Sequence, residues 1–330
     1  MKKILLVTGP GGDAQGWGGI KVTQSISEAV FASGYQAEIV WVESLCDFLR
    51  ALQSHKYDIV WSALYQAGAA ADIVGLQGGD ETWLADHLDA AGIPYIGPDA
   101  ATMRRLIQKA VTHQLLQAAG LAVPFQCLIE SGRRIPEVRF PAFVKPANES
   151  RSVGISDDSV VHSPAELERQ VLYVQQAFRQ PALVEDYLSG REYTVLMLGS
   201  GDSAEFLPGQ VVVDDAHYGR YAILRSDLRG VGLTRIVKAE AAAAEEAVDL
   251  GRRAAGALHC LDHVRIDMRA DAAGRLRIIE VNGIPGLKPV TSWSPQLFSM
   301  YYGSGAGAAE DYRRLIDMIV NSGLRRYGLN

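Results

Sequence analysis

The sequence predicts a mixed α/β and α+β protein, with a parallel-sheet unit at its N-terminal end. Three observations carry that prediction. From residue 3 to about 98, short apolar runs alternate with helical patterns, the mark of strands joined by crossover helices. Later strand candidates instead surround single helices, and one hairpin is legible near the C-terminal end. The 330 residues also exceed the ~250–300 at which a single core stops growing, so two or three packed units are expected.

In chain order, strands are expected at 4–8, 37–42, 58–62 and 94–96, with helices near 20–33, 44–54 and 80–91. The segment Met1-Lys2-Lys3 before Ile4-Leu5-Leu6-Val7 mimics an export signal. Its apolar stretch ends too soon for the ~7–15 residues such a signal needs, so it reads as the first strand. Gly97-Pro98-Asp99 closes this unit, and Asp99 is placed to cap the next helix. Helices follow at 99–106 and 108–119, the second ending at Gly120. Strands at 125–129, 141–145, 182–185 and 190–198 and a helix at 163–178, opened by Ser163-Pro164, complete a second unit. A third holds strands near 205–214, a polar loop to about 230 and an alanine-rich helix at 240–258. It ends with a hairpin of 263–269 and 276–282 and a last helix near 309–321. The units are thus 1–98, 99–195 and 196–330.

Composition narrows the function classes. Nearly half the residues are apolar and the formal charge is −6, with Lys and Arg scattered along the chain. That pattern gives no nucleic-acid or membrane-surface footprint, and no run approaches the ~18 apolar residues of a membrane span. Cys46, Cys127 and Cys260 are far apart and odd in number, as expected of reduced cytoplasmic thiols. The seven histidines lack ligand spacing, and no Ser-His-Asp elbow appears. The tryptophans read as core or lining residues.

The chemistry concentrates in the hairpin Val264-Arg265-Ile266-Asp267-Met268-Arg269 and Arg277-Ile278-Ile279-Glu280-Val281-Asn282. Side chains two apart on a strand share a face. Arg265 and Asp267 therefore point one way, as do Glu280 and Asn282, while Ile266, Met268, Ile279 and Val281 are expected to face a core. Two carboxylates and an amide are the hard oxygen donors that magnesium prefers. The arginine offers a fixed cationic fork for charge developing on a phosphoryl or acyl oxygen. A solvent-facing hairpin with surface ion pairs would show the same alternation. Gly283-Ile284-Pro285-Gly286 follows, an irregular loop whose glycine amide can approach a ligand.

The run Arg265-x-Asp267…Glu280-x-Asn282-x-x-Pro285-Gly286 resembles the metal-binding end of ATP-grasp enzymes, specifically the D-alanine–D-alanine ligase branch. The resemblance implies an ATP-grasp fold preceded by a parallel-sheet (pre-ATP-grasp) domain, with the central unit as lid and the C-terminal unit as catalytic subdomain. It implies ATP and two magnesium ions, with manganese able to substitute, held by Asp267, Glu280 and Asn282. Arg265 and the Gly286 amide would stabilise the oxyanion. Upstream, Phe140-Pro141-Ala142-Phe143-Val144-Lys145-Pro146 resembles the family's phosphate-binding strand, and Lys109 stands at its second phosphate lysine. Leu183-Val184-Glu185-Asp186-Tyr187-Leu188-Ser189-Gly190-Arg191-Glu192 resembles the adenine hinge. There Glu185 would take the adenine amino group, the Leu188 backbone the ring edge and Glu192 the ribose. Small-molecule carboxylate and amine substrates, amide formation through an acyl phosphate, and a possible homodimer follow from the same resemblance.

Departures cluster where substrate is read. The family's Ser-Ala-Glu run, whose glutamate reads the first alanine's ammonium, is replaced by Gly12-Asp13-Ala14-Gln15, leaving Asp13 as the loop's acid. The Gly-Ser-Ser-x-Gly phosphate loop becomes Ser150-Arg151-Ser152-Val153-Gly154, with Ser152 kept for phosphate and Arg151 turned to substrate. The Tyr-Asp-Tyr…Lys-Tyr loop becomes His217-Tyr218-Gly219-Arg220-Tyr221, so Tyr218 and Arg220 are substrate candidates and Arg220 a stand-in for the missing lysine. Thr291 and Ser292 share the place of the second substrate's carboxylate contact. A dipeptide-type or cyclising ligase of specialised or antibiotic metabolism fits this pattern better than the alternative, a cell-wall D-alanine ligase. Two other classes compete. Gly9-Pro10-Gly11-Gly12-Asp13-Ala14 formally matches G-x-G-x-x-A, with Glu43 at the end of the second strand, as in a nicotinamide oxidoreductase. A retired, nucleotide-binding regulator would also show drifted substrate loops.

Overall fold

The alternating N-terminal runs form β1 (Lys3–Thr8), a short α1 (Gly12–Gln15), α2 (Ile20–Ala32), β2 (Gln36–Trp41), α3 (Leu45–Ser54), β3 (Ile59–Ser62), α4 (Leu84–Ala90) and β4 (Tyr95–Ile96). The computed structural model describes residues 1–68, 83–149, 152–214, 216–228 and 233–329, so the expected start of α4 at residue 80 lies outside the described residues. The strands pair in parallel in the order β2-β1-β3-β4. Ser44 and Asp47 cap α3 reciprocally, each side chain meeting the other's backbone N–H.

Asp99 accepts from Thr102 N to start α5 (Ala100–Ile107), and α6 (Lys109–Ala118) follows. Gly120 then turns the chain at φ +71°, a conformation that favours glycine. The second sheet holds β5 (Gln126–Ile129), β6 (Ala142–Pro146), β7 (Val160–Val161) and, after α7 (Pro164–Phe178), β8 (Ala182–Asp186). It is antiparallel, in the order β5-β8-β6-β7. The third sheet, also antiparallel, runs β11-β10-β9-β12-β13, from β9 (Glu192–Leu198), β10 (Glu205–Val213), β11 (Thr234–Val237), β12 (His263–Ala270) and β13 (Leu276–Asn282). Its helices are α8 (Ala241–Ala257), α9 (Trp293–Tyr302) and α10 (Ala308–Arg326).

Three expectations need correction here. The strand at 190–198 does not complete the second unit but lies inside the third sheet, between β10 and β12, so a boundary at 195 would cut it. The physical reason is two-sided burial. Tyr193, Val195 and Met197 face one core with α8, while Leu196 and Leu198 face another with α9 and α10. An unbroken apolar run is what such a central strand requires. Helix α9 was not expected, because Lys288-Pro289 and Pro295 give its start the look of a loop. Strand β11 follows a polar segment and is only four residues long.

The last helix joins the ends of the molecule. Leu315, Ile316, Ile319 and Val320 of α10 share one core with Ile4, Ile26 and Ile59. Gly323 lets α10 come that close, since a Cβ there would stand 2.6 Å from Ile96. Asp262, fully buried just before β12, pins the same junction. Its carboxylate accepts from Gly97 N (2.8 Å), Ser200 Oγ (3.1 Å), Ser322 Oγ (2.6 Å) and Arg326 (2.8 Å). Among the described residues no helix is long and apolar enough to cross a membrane.

Asp262→Ala leaves buried donors unpaired and should lower the free energy of unfolding by about 3–5 kcal/mol. Chemical denaturation measures this, and a loss below about 1 kcal/mol would reduce the junction to a surface ion pair.

Candidate active site

The β12–β13 hairpin sets the geometry. Arg265 lies opposite Asn282 and Asp267 opposite Glu280, then the register shifts and Met268 pairs with Ile278. Ile279 is the extra residue of this β-bulge. The bulge corrects one expectation: Ile278 is fully buried, whereas Ile279 is only partly buried and lines a cleft. Ile266, Met268 and Val281 face the core as expected.

On the cleft face Asp267 is the gathering point. Arg265 donates to both its oxygens, Nε to Oδ1 at 2.8 Å and NH2 to Oδ2 at 2.7 Å. Thr194 Oγ1 (2.7 Å) and Asn282 Nδ2 (3.0 Å) also donate to it. The Arg265 guanidinium rests over the Trp293 ring, 4.7 Å from its centroid. Glu280 meets Lys109 Nζ at 3.0 Å. Burial raises the Glu280 carboxyl, but Lys109, Lys145 and Arg265 more than offset it and hold it below the usual carboxylate range. Among the described residues no three His, Cys, Asp or Glu side chains converge as a metal cluster. The donor set here is two carboxylates and an amide oxygen.

Two lysines face this set. Lys109 opens α6 and donates to the Glu149 carbonyl. Lys145, on β6, pairs with Glu185 Oε2 of β8 at 2.7 Å, and both are buried. His113, one turn after Lys109, donates from Nε2 to the Ile279 carbonyl (3.1 Å) and lies 3.5 Å from Glu185 through Nδ1. Burial holds its ring below the ordinary histidine value. Leu188, Glu192 and Ser152 line the same cleft, together with Lys109, Lys145, Glu185, Arg265, Asp267 and Glu280. Glu192, on β9, is raised to about 7 by burial, with Arg269 opposing the rise from 3.2 Å.

The expected substrate residues scatter more widely. Gly286 stands so near Ser292 that a Cβ would meet its hydroxyl at 2.9 Å. That hydroxyl also accepts from Lys288 N (3.0 Å). Thr291 is exposed and gives its carbonyl to Gln296, so of the two only Ser292 touches the glycine loop. Asp13 is exposed in the first turn of α1, and Tyr218 is buried. Arg220 is exposed and belongs to a separate hollow with Asp157, His162 and Glu166. It therefore does not stand in the cleft lined by Lys109 and Lys145, because the loop presents Ile223 and Leu224 there instead. Arg151 lies outside the described residues. Gln15, in the loop where the family's glutamate is missing, is spent on structure. Its Oε1 accepts from Tyr65 N and Gln66 N at 2.8 and 3.0 Å, and its amide donates to Gln66 O. The glycines of that loop serve close packing: a Cβ at Gly9 or Gly16 would collide with the carbonyls of Val42 or Ala63.

His113, Thr194, Trp293 and Arg269 join the site without a role expected from the sequence. His113 follows Lys109 by four residues on one helix face, and Arg269 extends the 265–267 spacing by two, so both signals were available. Thr194 and Trp293 reach the site only through long-range pairing.

Glu192 gives a pH signature. A carboxyl raised in the folded state from its ordinary value to about 7 adds stability that is present below the unfolded value and lost as pH rises through about 7. Glu192→Gln should flatten this part of the stability–pH curve between about 4.5 and 7. Denaturation midpoints across that range measure it, and an unchanged slope would place the titration elsewhere.

A family model described as D-ala D-ala ligase C-terminus matches residues 115–321. Protein y4sG of Sinorhizobium fredii (strain NBRC 101917 / NGR234) is 28% identical, over 73% of this chain and 69% of its own. A D-alanine–D-alanine ligase of Streptococcus pneumoniae (strain CGSP14) is 26% identical over 98% of this chain and 97% of its own. Among solved structures, the D-alanine–D-alanine ligase from Bacillus anthracis complexed with ATP superposes with a TM-score of 0.70 at 18% identity, covering 99% of both chains. VanG D-Ala:D-Ser ligase from Enterococcus faecalis gives 0.69 at 18% identity, over 98% of this chain and 99% of its own. At such identities the structures establish the fold, ATP-grasp. With the family model over well more than half its length, the chain belongs to the D-alanine–D-alanine ligase family and is an ATP-grasp carbon–nitrogen ligase.

Proposed function

We propose that this ligase activates a small-molecule carboxylate with ATP and joins it to an amine through an acyl phosphate. What supports the reading is one juxtaposition. Arg265, Asp267, Glu280 and Asn282 share a sheet face, and the same cleft brings Lys109, Lys145 and Glu185 against them. No finding favours the oxidoreductase or retired-regulator readings.

The oxygen donors suit magnesium, or manganese in its place, since Glu280 is held ionised and Asp267 is fixed by three donors. Asp267, Glu280 and Asn282 would hold one or two such ions, which supply charge neutralisation to the triphosphate when bound. Lys109 and Lys145 exchange their carboxylate partners for phosphate oxygens, with Ser152 beside them. Glu185 takes the adenine amino group, Leu188 the ring edge and Glu192 the ribose hydroxyls. A carboxylate oxygen attacks the γ-phosphorus and ADP leaves. The amine nitrogen then attacks the acyl carbon, the C–O bond to phosphate breaks, and the nitrogen loses a proton. Arg265, whose NH1 is left over from the Asp267 fork, and the Gly286 amide face the oxyanion of that second step. Catalysis is positioning and electrostatics throughout.

Asp13, Arg151, Tyr218, Thr291 and Ser292 are the substrate-reading candidates, and Arg220 lines a separate hollow. Two substrate assignments follow. The loop departures favour a dipeptide-type or cyclising ligase of specialised metabolism. The names of the relatives favour D-alanine itself equally.

The chain with Mg²⁺, ATP and pooled amino acids and carboxylates should release ADP and yield a product lighter by one water, read by mass spectrometry. ADP release with D-alanine alone at a low millimolar KM would decide for the cell-wall activity. Glu280→Gln should cut ATP turnover by about 100-fold or more with unfolding unchanged. Full turnover in that variant would defeat the metal assignment.

A further inference from the structure

Arg269 has no part in the reaction above, yet it is 8% exposed inside the cleft. It stands directly opposite Glu192 in the β12–β9 register. Its guanidinium forks: NH1 donates to Glu192 Oε2 at 3.2 Å, and NH2 donates to the Ala222 carbonyl at 2.9 Å. Ala222 belongs to the segment 216–228, which roofs the cleft with Ile223 and Leu224. The far side of that roof is tied to the second sheet and its flank. Arg220 N donates to Asp157 (3.0 Å), Tyr221 meets His162 (2.6 Å) and packs edge-on against Tyr187. Arg269 thus links the sheet floor to the roof. The planar guanidinium serves its two acceptors from separate nitrogens, whereas an ammonium would have to serve both from one.

We propose that Arg269 is a positioning residue of the nucleotide site, holding Glu192 paired and aimed while drawing the 216–228 roof over the cleft through Ala222. This rests on the assignment of the cleft to ATP made above. Because one guanidinium serves both contacts, nucleotide binding and roof closure stabilise each other, and the coupling is reciprocal.

The test uses the full chain as wild type, R269M, R269K and E192Q. Each is titrated calorimetrically with Mg²⁺ and the non-hydrolysable analogue AMPPNP, and digested with trypsin while cleavage at Arg220 and Arg225 is followed by mass. R269M should weaken AMPPNP binding about tenfold or more and speed roof cleavage several-fold without nucleotide. E192Q should weaken binding yet leave that cleavage rate at the wild-type value, since the Ala222 contact persists. R269K should keep binding within about threefold, because the charge remains, while its roof is cleaved as fast as in R269M. The lysine variant carries the test should the methionine variant not fold. Wild-type binding and cleavage rates in R269M, or in R269K an unchanged roof, would overturn the inference alone. A wild-type chain that does not bind AMPPNP would instead remove the ATP assignment, and the inference with it.

Discussion

Burying charge is the constraint around which the cleft is built. The side chains of Glu185, Asp267 and Glu192 are 4%, 6% and 10% exposed, and each meets a cation: Lys145, Arg265 and Arg269 in turn. A carboxylate taken that deep without a partner loses several kcal/mol of hydration. Glu280 is matched the same way by Lys109. Three of these pairs cross between elements: α6 to β13, β6 to β8, and β12 to β9; Arg265 and Asp267 share β12. Their distances survive only if strand register and helix position are held. Burial of β9 on both faces holds the first, and the bond from His113 of α6 to the Ile279 carbonyl of β13 holds the second. The dry core is therefore what makes the charged face rigid, and preorganised charge is the main resource of an enzyme that moves phosphoryl groups.

Much of this was legible in the sequence because period-two spacing is a local property. Arg265 with Asp267, and Glu280 with Asn282, had to share faces once their strands existed. Lys145 and Glu185 were legible as strand-borne charges, and their order along the chain identified the family. What local spacing does not carry is register. Ile278 and Ile279 are chemically identical, so either could face the core, and nothing in the hairpin's residues marks the bulge that turns Ile279 into the cleft. Pairing of Lys109 with Glu280 is likewise a fact of tertiary packing.

Loops were read least well, for a related reason. Arg220 sits in a segment without periodicity, so its direction depends on what its backbone holds, and the backbone is fixed to Asp157. A Cβ at Gly219 would stand 2.1 Å from that same carboxylate, so the chain must pass there as glycine and Arg220 emerges on the outer side. The glycine-rich turn after β1 was read two ways because close packing and phosphate binding both call for glycine. Gln15 speaks for packing: its side-chain amide braces the backbone at Tyr65 and Gln66.

The division between strands and loops bears on how such a ligase changes substrate. The proposed metal donors stand on β12 and β13, and the proposed phosphate lysines on α6 and β6. A change at any charged member of this set leaves an opposite charge unpaired in a desolvated site, which costs more than a domain's margin easily bears. The candidate substrate residues stand on the turn after β1, the segment 216–228 and the loop 286–292. There the backbone is braced by its own contacts, such as Ser292 with Lys288 N or Gln15 with Gln66. Side chains on those loops are replaceable at little cost to the frame. Change confined to such loops, with the charged pairs kept, would preserve the proposed acyl-phosphate chemistry while altering what is joined.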